Sequence, residues 1–317
     1  MIIMNKTCRS VLVTGGAGFL GSHLVPRLLE LGHSVTVLDN LSTGKLENLD
    51  GVVDHPKFVF QRGDIRDKTI PKEVFDGIDA VIHLAALIDI SATVADPIQN
   101  HEVNVNGTFN MLYASVRHNV KRFVFASSTA VYGDAKTLPV QENIALRPIS
   151  PYAASKVAGE AYCSAFASCF GLETIALRFF NIYGKRSENS PYSGVITKFL
   201  QKTINDEVLT IDGDGEQTRD FIHVSDIVKA VILALEHEGF IGEFFNVCMG
   251  VPTSINQLAA TLKTATGKNP NVKHGPARLG DIRNNYGDPA KAAENLGFRA
   301  SVDLTKGLQM LFEEFNK

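Results

Sequence analysis

The feature that most constrains this chain is Thr14-Gly15-Gly16-Ala17-Gly18-Phe19-Leu20-Gly21. It puts glycines at 15, 18 and 21 between a β-branched run, Ser10 to Thr14, and a stretch from Leu20 to Leu31 whose apolar residues recur at helical spacing. Strand, tight turn and helix in that order leave few folds open. Gly15 permits the turn, Gly18 lets a pyrophosphate approach backbone N–H groups at a helix N-terminus, and Gly21 lets helix and strand pack closely. A glycine turn alone is a weak signal, but here Asp39 ends the second strand, near the roughly 20-residue spacing of such motifs. A carboxylate there accepts hydrogen bonds from both hydroxyls of an adenosine ribose. The same charge repels a 2′-phosphate, so the pattern favours NAD over NADP.

Further strand-like runs follow at Ser34 to Leu38, Phe58 to Phe60, Ala80 to Ala85, Arg122 to Ala126 and Thr174 to Phe180, with helical patterns between them, chiefly Asn104 to Asn119 and Pro151 to Phe170. Near-continuous apolar strands separated by helices predict an α/β fold with a doubly wound (Rossmann) parallel sheet covered on both faces. Beyond about residue 183 the texture changes. Gly184 to Gly194 is polar and turn-rich, Asp212 to Gly215 is a tight turn, and Lys268 to Arg283 is a Pro/Gly-rich loop. Helical stretches remain at Val224 to Glu236, Ser254 to Thr266 and Leu304 to Phe315, and Phe244 to Val247 returns to the sheet as a strand. The expected organisation is a dinucleotide-binding domain over 1–182, with returning segments near 219–250, and a smaller mixed C-terminal substrate lobe, mainly 183–317.

Composition excludes several alternatives. The 317 residues carry Lys+Arg 31 against Asp+Glu 34, a formal charge of −3, with 44% apolar residues. Such a chain can bury one large core or two fused ones without staples. It has no basic field for nucleic acid or an anionic membrane surface, so the expected partners are a small molecule or another protein. Cys8, Cys163, Cys169 and Cys248 show neither CxxC spacing nor the density of a disulfide scaffold, which fits a reduced, cytoplasmic setting. The opening Met-Ile-Ile-Met is too short for the apolar region of a signal peptide, and no stretch approaches the roughly 20 apolar residues of a membrane span. No His/Cys/Asp cluster has metal-ligand spacing, so no metal is expected.

Ser150-Pro151-Tyr152-Ala153-Ala154-Ser155-Lys156 reads as a helix start, with Ser150 as N-cap and Pro151 at the first helical position. Tyr152 and Lys156 then stand one turn apart on one face. A tyrosine titrates near 10 and needs a neighbouring cation to act as a base near neutral pH; Lys156 beside it would favour the phenolate. Ser128, just past the run Arg122 to Ala126, can hydrogen-bond the same substrate oxygen. Gly63-Asp64-Ile65 offers another carboxylate, either for an adenine amino group or as a helix cap. His83 and His223, in apolar strand-end contexts, read as structural.

These segments, with HLAA (83 to 86), Asn104 in NVNGT, SSTAVYG (127 to 133), YAASK (152 to 156), RFFNIYG (178 to 184) and RDFIHVSD (219 to 226), resemble the extended short-chain dehydrogenase/reductases over nearly the whole chain, and within them the UDP-glucose 4-epimerase branch. The resemblance implies Ser128, Tyr152 and Lys156 as catalytic residues. It implies an NAD held by Gly15, Gly18, Phe19, Leu20, Asp39, Asn40, Ser42, Thr43, Gly44, Asp64, Ile65, Leu84, Ala85, Ala86, Asn104, Tyr152, Lys156 and Phe179. Ser128, Tyr152 and Asn181 would face the sugar nucleotide, with Phe179 and Phe180 on the nicotinamide side. Arg219, Arg278 and Asp281 match positions that hold the diphosphate and the ribose or uridine, and Arg283 is a further candidate; guanidinium forks suit a diphosphate. A homodimer is implied through the helices around Asn104 to Asn119 and Pro151 to Phe170, where Val157, Ala161, Ala165 and Phe166 supply apolar contacts.

Two departures stand out. Some epimerases of this family carry a lysine shortly after the HLAA-like segment, where this chain has Ile88. The position that gates the sugar's C2 substituent aligns with Asn285, which leaves acceptance of N-acetylhexosamines open. The implied reaction is 4-epimerisation of a UDP-hexose by transient oxidation at C4. The alternatives are a nucleotide-sugar 4,6-dehydratase, which needs an acid pair where this chain has Thr129-Ala130, a dehydrogenase using soluble NAD, and a non-catalytic nucleotide-sensing protein, for which an intact Ser128–Tyr152–Lys156 set has no use.

Overall fold

The structure is a computed structural model and describes residues 9–67, 70, 72–187, 194–278 and 282–316. In chain order the first half contains β1 (Ser10–Thr14), α1 (Phe19–Glu30), β2 (Ser34–Asp39), β3 (Phe58–Arg62), β4 (Ala80–His83), α2 (Ile90–Ala95), α3 (Pro97–Asn100), α4 (Gly107–Arg117), β5 (Arg122–Ser128), α5 (Pro151–Phe170) and β6 (Glu173–Phe179). There follow β7 (Asn181–Tyr183), α6 (Val195–Ile204), β8 (Leu209–Asp212), β9 (Thr218–Arg219), β10 (Phe221–His223), α7 (Val224–Glu236) and β11 (Glu243–Val247). The last part holds β12 (Thr253–Ser254), α8 (Ile255–Thr266), β13 (Val272–Gly275), β14 (Asn284–Asn285), α9 (Ala290–Asn295) and α10 (Leu304–Phe315).

Seven strands form one parallel sheet in the order β11-β6-β5-β4-β1-β2-β3. The order reverses between β1 and β4, and the carboxyl ends of the strands on either side of that point are where open α/β sheets bind ligands. Strands β1, β4 and β5 are almost wholly buried, as their unbroken apolar runs require. Pro151 begins α5, whose N-cap Ser150 accepts a hydrogen bond from Ala153 N–H at 3.1 Å; Gly171 ends it in the left-handed conformation. The helical pattern expected over 104–119 is observed as a wide, π-type turn over His101–Asn106 running into α4.

Contacts divide the chain into two compact units that interleave in sequence. The first comprises Met1–Val131, Pro148–Arg178 and Val228–Phe245; the second comprises Tyr132–Arg147, Phe179–Ile227 and Asn246–Lys317. The first unit's core runs through Leu12, Leu38, Val81, Met111, Phe123 and Phe125. The second packs Phe199, Leu200, Leu209, Ile211, Leu258, Leu262 and Leu308 together, under small sheets that pair β7 with β10, β8 with β13, and β9 with β12 and β14. The 268–283 stretch, expected as loop throughout, contributes β13, paired in parallel with β8 from Val272↔Leu209 to Gly275↔Asp212. Among the described residues no helix is long and apolar enough to cross a membrane.

Candidate active site

In the first unit the glycine turn sits over the carboxyl ends of β1 and β4. Gly15 has φ +70°, and a Cβ there would come within 2.8 Å of the Ala85 nitrogen and 2.9 Å of its Cα, so backbone fills the space a side chain would need. Gly18 caps α1 with extended backbone, no side-chain cap and no acid in the first turn. The first-turn N–H groups, including those of Phe19 and Leu20, have no intrahelical partner. Such a bare N-terminus fits a pyrophosphate.

Asp39, at the end of β2, is 7% exposed. Its carboxylate accepts from Ala17 N–H at 3.0 Å and from Leu41 N–H at 2.8 Å. Burial raises its carboxyl above the ordinary value while those two N–H groups pull the other way. Each oxygen keeps a lone pair for a ribose hydroxyl. Residues 40–48 fold back onto the turn: Ser42 N–H donates to Asn40 Oδ1 at 2.9 Å, Gly44 lies against the Ala17 backbone, and Lys45 N–H and Asn48 Nδ2 donate to the Ala17 carbonyl. Ser42 and Thr43 are exposed.

Asp64 does not cap a helix. It accepts from the Arg66 guanidinium (3.0 and 2.8 Å), the Arg66 N–H (2.9 Å) and Asn40 Nδ2 (2.7 Å), and the guanidinium holds its carboxyl well below the usual range. Ile65 is buried beside Gly107. Leu84 and Ala85 are pinned by N–H bonds to the Thr14 carbonyl and hydroxyl, and Ala86 is half-buried next to them. Asn104 is 2% exposed and spends its amide on Leu87 N–H and C=O, Asn100 and Ser155, so it positions the 84–87 segment against α5.

Ser128, Tyr152 and Lys156 come together. The Ser128 hydroxyl is hydrogen-bonded to the Tyr152 phenol and also accepts from Ala130 N–H at 3.2 Å. Lys156 lies on the same face of α5, its ammonium 5.8 Å from the Tyr152 ring centroid, and donates to the Ala126 carbonyl at 2.8 Å. The expected lowering of Tyr152 by this lysine is not seen in the protein alone: burial raises the phenol, and the Ser128 hydrogen bond only partly offsets it. Burial also pushes Lys156 down to about 8. His83 bridges Thr14 Oγ1 (2.8 Å) and Thr108 Oγ1 (3.0 Å); burial, with the Lys156 charge, pushes it down to about 3, so it is neutral and structural.

The residues expected on the nicotinamide and sugar-nucleotide side, Phe179 to Asn181 and beyond, belong to the second unit. Phe179 and Phe180 are buried. Asn181 on β7 has a buried Oδ1 with no hydrogen-bond partner, an acceptor held ready for a donor. Arg219 on β9 donates to the Thr218 (2.7 Å) and Ile282 (2.8 Å) carbonyls, and Asn285 on β14 is its register partner. Arg278 is exposed, and Asp281 lies outside the described residues. Arg283 is engaged by Asp214 in a bidentate pair at 2.6 and 2.9 Å. His223 is buried and bonded to the Ser225 hydroxyl at 2.8 Å. Among the described residues no His/Cys/Asp/Glu group is arranged to hold a metal.

Sequence reasoning missed two buried acids. Asp220, next to Arg219, accepts N–H bonds from Met249, Gly250 and Gly287, and burial pushes it up to about 6. Glu160, one turn beyond Lys156, is bonded to Arg178 and Ser127. The available signal was a charged residue inside an otherwise apolar or small-residue stretch: Arg178 in TIALRFF and Glu160 in the helix.

The glycine turn, the buried Asp39 carboxylate and the Ser128, Tyr152 and Lys156 set on a doubly wound sheet are the features of the short-chain dehydrogenase/reductase type. The chain belongs to the NAD dependent epimerase/dehydratase family, whose model matches residues 11–248. It is 38% identical over 306 residues to a UDP-glucose 4-epimerase of Mycolicibacterium smegmatis, covering 96% of this chain and 97% of the relative. A UDP-N-acetylglucosamine 4-epimerase from Methanobrevibacter ruminantium, solved with UDP-N-acetylmuramic acid, superposes with a TM-score of 0.92 at 36% identity over 98% of this chain and 99% of the other. A Thermus thermophilus UDP-glucose 4-epimerase solved with NAD gives 0.87 at 35% identity, over 97% and 99%. NAD is thus the cofactor of the family and of its solved neighbours.

Proposed function

We propose that this chain is a UDP-hexose 4-epimerase, interconverting UDP-glucose and UDP-galactose, with the N-acetyl pair as the second substrates to test. The observation that carries the reading is a complete Ser128–Tyr152–Lys156 set followed directly by Thr129-Ala130, in a short turn over Thr129–Tyr132. Dehydration needs carboxylates at those two places to move the C5 and C6 protons. Thr129-Ala130 has none.

Bound NAD supplies the acceptor and donor of hydride at sugar C4. The first-turn N–H groups of α1 would hold its pyrophosphate and Asp39 its adenosine ribose. Lys156 would hold the nicotinamide ribose. Tyr152 takes the proton of the 4-hydroxyl and later returns one, while Ser128 steadies the oxygen between them. The 4-keto sugar must turn over before reduction on the opposite face. That requires a firm grip on the diphosphate and uridine, assigned to Arg219, Arg278 and Asp281, and a looser one on the sugar, with Asn181 as a hydrogen-bond partner. We further propose a homodimer: Phe109, Tyr113, Tyr162 and Phe170 are exposed on α4 and α5, with Phe109 stacked on Tyr113 and edge-on to Tyr162.

The test is incubation with UDP-galactose, and separately with UDP-N-acetylgalactosamine, without added cofactor, followed by separation of the products. Release of the C4 epimer is expected; no epimer from any UDP-hexose overturns the proposal. Tyr152→Phe is expected to retain NAD and lose turnover, and full activity in that variant would remove Tyr152 from the mechanism.

A further inference from the structure

Beneath the Ser128–Tyr152–Lys156 set lies a second group of charges to which the reaction assigns nothing. Glu160, on α5, is 2% exposed and Arg178, on β6, is 3% exposed. Arg178 Nε donates to Glu160 Oε1 at 2.8 Å, and Arg178 Nη2 to Oε2 at 2.7 Å. Ser127 Oγ, from the residue before Ser128 on β5, donates to Oε1 at 2.6 Å. One carboxylate therefore ties the helix carrying Tyr152 and Lys156 to the strand carrying Ser128 and to the next strand. The layers are in close contact there: a Cβ at Gly159 would collide with the Phe125 ring, and Lys156 Nζ sits 4.9 Å from that ring's centroid.

A buried ion pair is a poor device if stability is the only purpose, because taking both ions out of water costs more than an apolar pair of similar volume. An apolar pair, however, supplies neither a hydrogen-bond acceptor for Ser127 nor a negative charge one turn from Lys156. We infer that Glu160 is a positioning residue for the reaction: through Ser127 it sets where Ser128 stands relative to Tyr152, and through its charge it holds Lys156 in the ammonium form. The inference rests on the reading of Ser128, Tyr152 and Lys156 as the reacting set.

The electrostatics agree. Burial drives Lys156 down, and Glu160 is the strongest influence in the opposite direction. Cys163, a further turn along, adds less, and burial drives its own thiol so far up that it is uncharged. The other titratable groups facing this pocket are Tyr152 on the same helix, neutral His83 on β4 and Arg178 on β6, whose charge is spent on Glu160. Strand β5 meets the lysine with the Phe125 ring and the Ala126 carbonyl, neither of them titratable.

The deciding measurement is the titration of Lys156 itself, followed through its 13Cε resonance in the purified chain and assigned with Lys156→Met. Glu160→Gln keeps shape and an acceptor oxygen but removes the charge; the midpoint is expected to fall by about one to three pH units, and an unchanged midpoint overturns the electrostatic role. The paired variant Glu160→Leu/Arg178→Met removes both charges at similar volume, leaves no stranded ion, and is expected to show the same fall. Ser127→Ala keeps the ion pair and the Lys156 midpoint, and is expected to lower kcat about three- to tenfold with KM unchanged; wild-type kcat overturns the Ser127 link. If the wild type turns over no UDP-hexose, the functional reading fails, while the Lys156 midpoint still decides the role of the Glu160 charge.

Discussion

Lys156 is a cation kept where cations are costly. Its value in the folded chain is about 8, below the 10.5 of an unperturbed lysine. Above about pH 10.5 it is neutral in both states and burial carries no penalty. As pH falls from there towards 8 the unfolded chain takes up the proton first, so the stability contributed by a neutral Lys156 is lost over that window. Replacing Lys156 by Met removes the dependence. Wild-type stability relative to Lys156→Met should therefore rise by roughly 1.4 kcal/mol per pH unit between pH 8 and pH 10 and stay flat from pH 6 to 7.5, read from urea unfolding at each pH; a flat difference throughout would refute the depressed value. That Tyr152 and Lys156 share a face of α5 was legible because a four-residue spacing on a helix is a sequence property. The bond that Glu160 makes with Arg178 joins a helix to a strand, and sequence spacing carries no trace of it.

Arg122 shows how an element can be held by a residue far from it in sequence. It opens β5 and is 1% exposed, and its guanidinium donates to the carbonyls of Ala234 (3.1 Å), Leu235 (3.3 Å) and His237 while pairing with Glu173. The Ala234 and Leu235 carbonyls end α7, where carbonyls have no partner within the helix, and His237 follows its last residue. Arg122→Met should cost about 3 kcal/mol in denaturant unfolding and speed amide exchange in the last turn of α7; loss without local exchange would place the effect elsewhere. At this scale β1, β4 and β5 were readable because burial on both faces writes unbroken apolar runs. β13 was not, since its residues Val272 to His274 are exposed and no buried face imposes alternation. α6 was also missed, although Ile196, Phe199, Leu200 and Thr203, which it buries, stand at helical spacing straight after a polar stretch.

For the whole molecule, the proposed homodimer predicts that Phe109→Glu with Tyr162→Glu yields a monomer by light scattering without unfolding; a variant that keeps the wild-type mass would remove that face from the interface. A second expectation follows from the sheet. A fragment ending at residue 182 lacks β11, so β6 is left as an open, largely buried-type edge, the form most prone to pairing with other chains. Such a fragment should aggregate, and a monomeric, cooperatively unfolding product would argue that β11 is dispensable. The parallel sheet and its glycine turn were readable from the sequence as a whole, but the contacts also group Tyr132–Arg147 with residues from the later part of the chain. Asn246 explains this: it accepts from the Tyr132 hydroxyl at 2.6 Å and donates to the Val140 carbonyl at 2.9 Å, and no pattern around 132–147 announces that meeting.

The interleaving of the two units bears on synthesis. A ribosome delivers the chain from one end, and the sheet's edge strand, Glu243–Val247, emerges only after the second unit's segments Tyr132–Arg147 and Phe179–Ile227. For that interval the nascent sheet waits with one edge unpaired, so chaperone dependence during translation should exceed what the stability of the finished protein suggests.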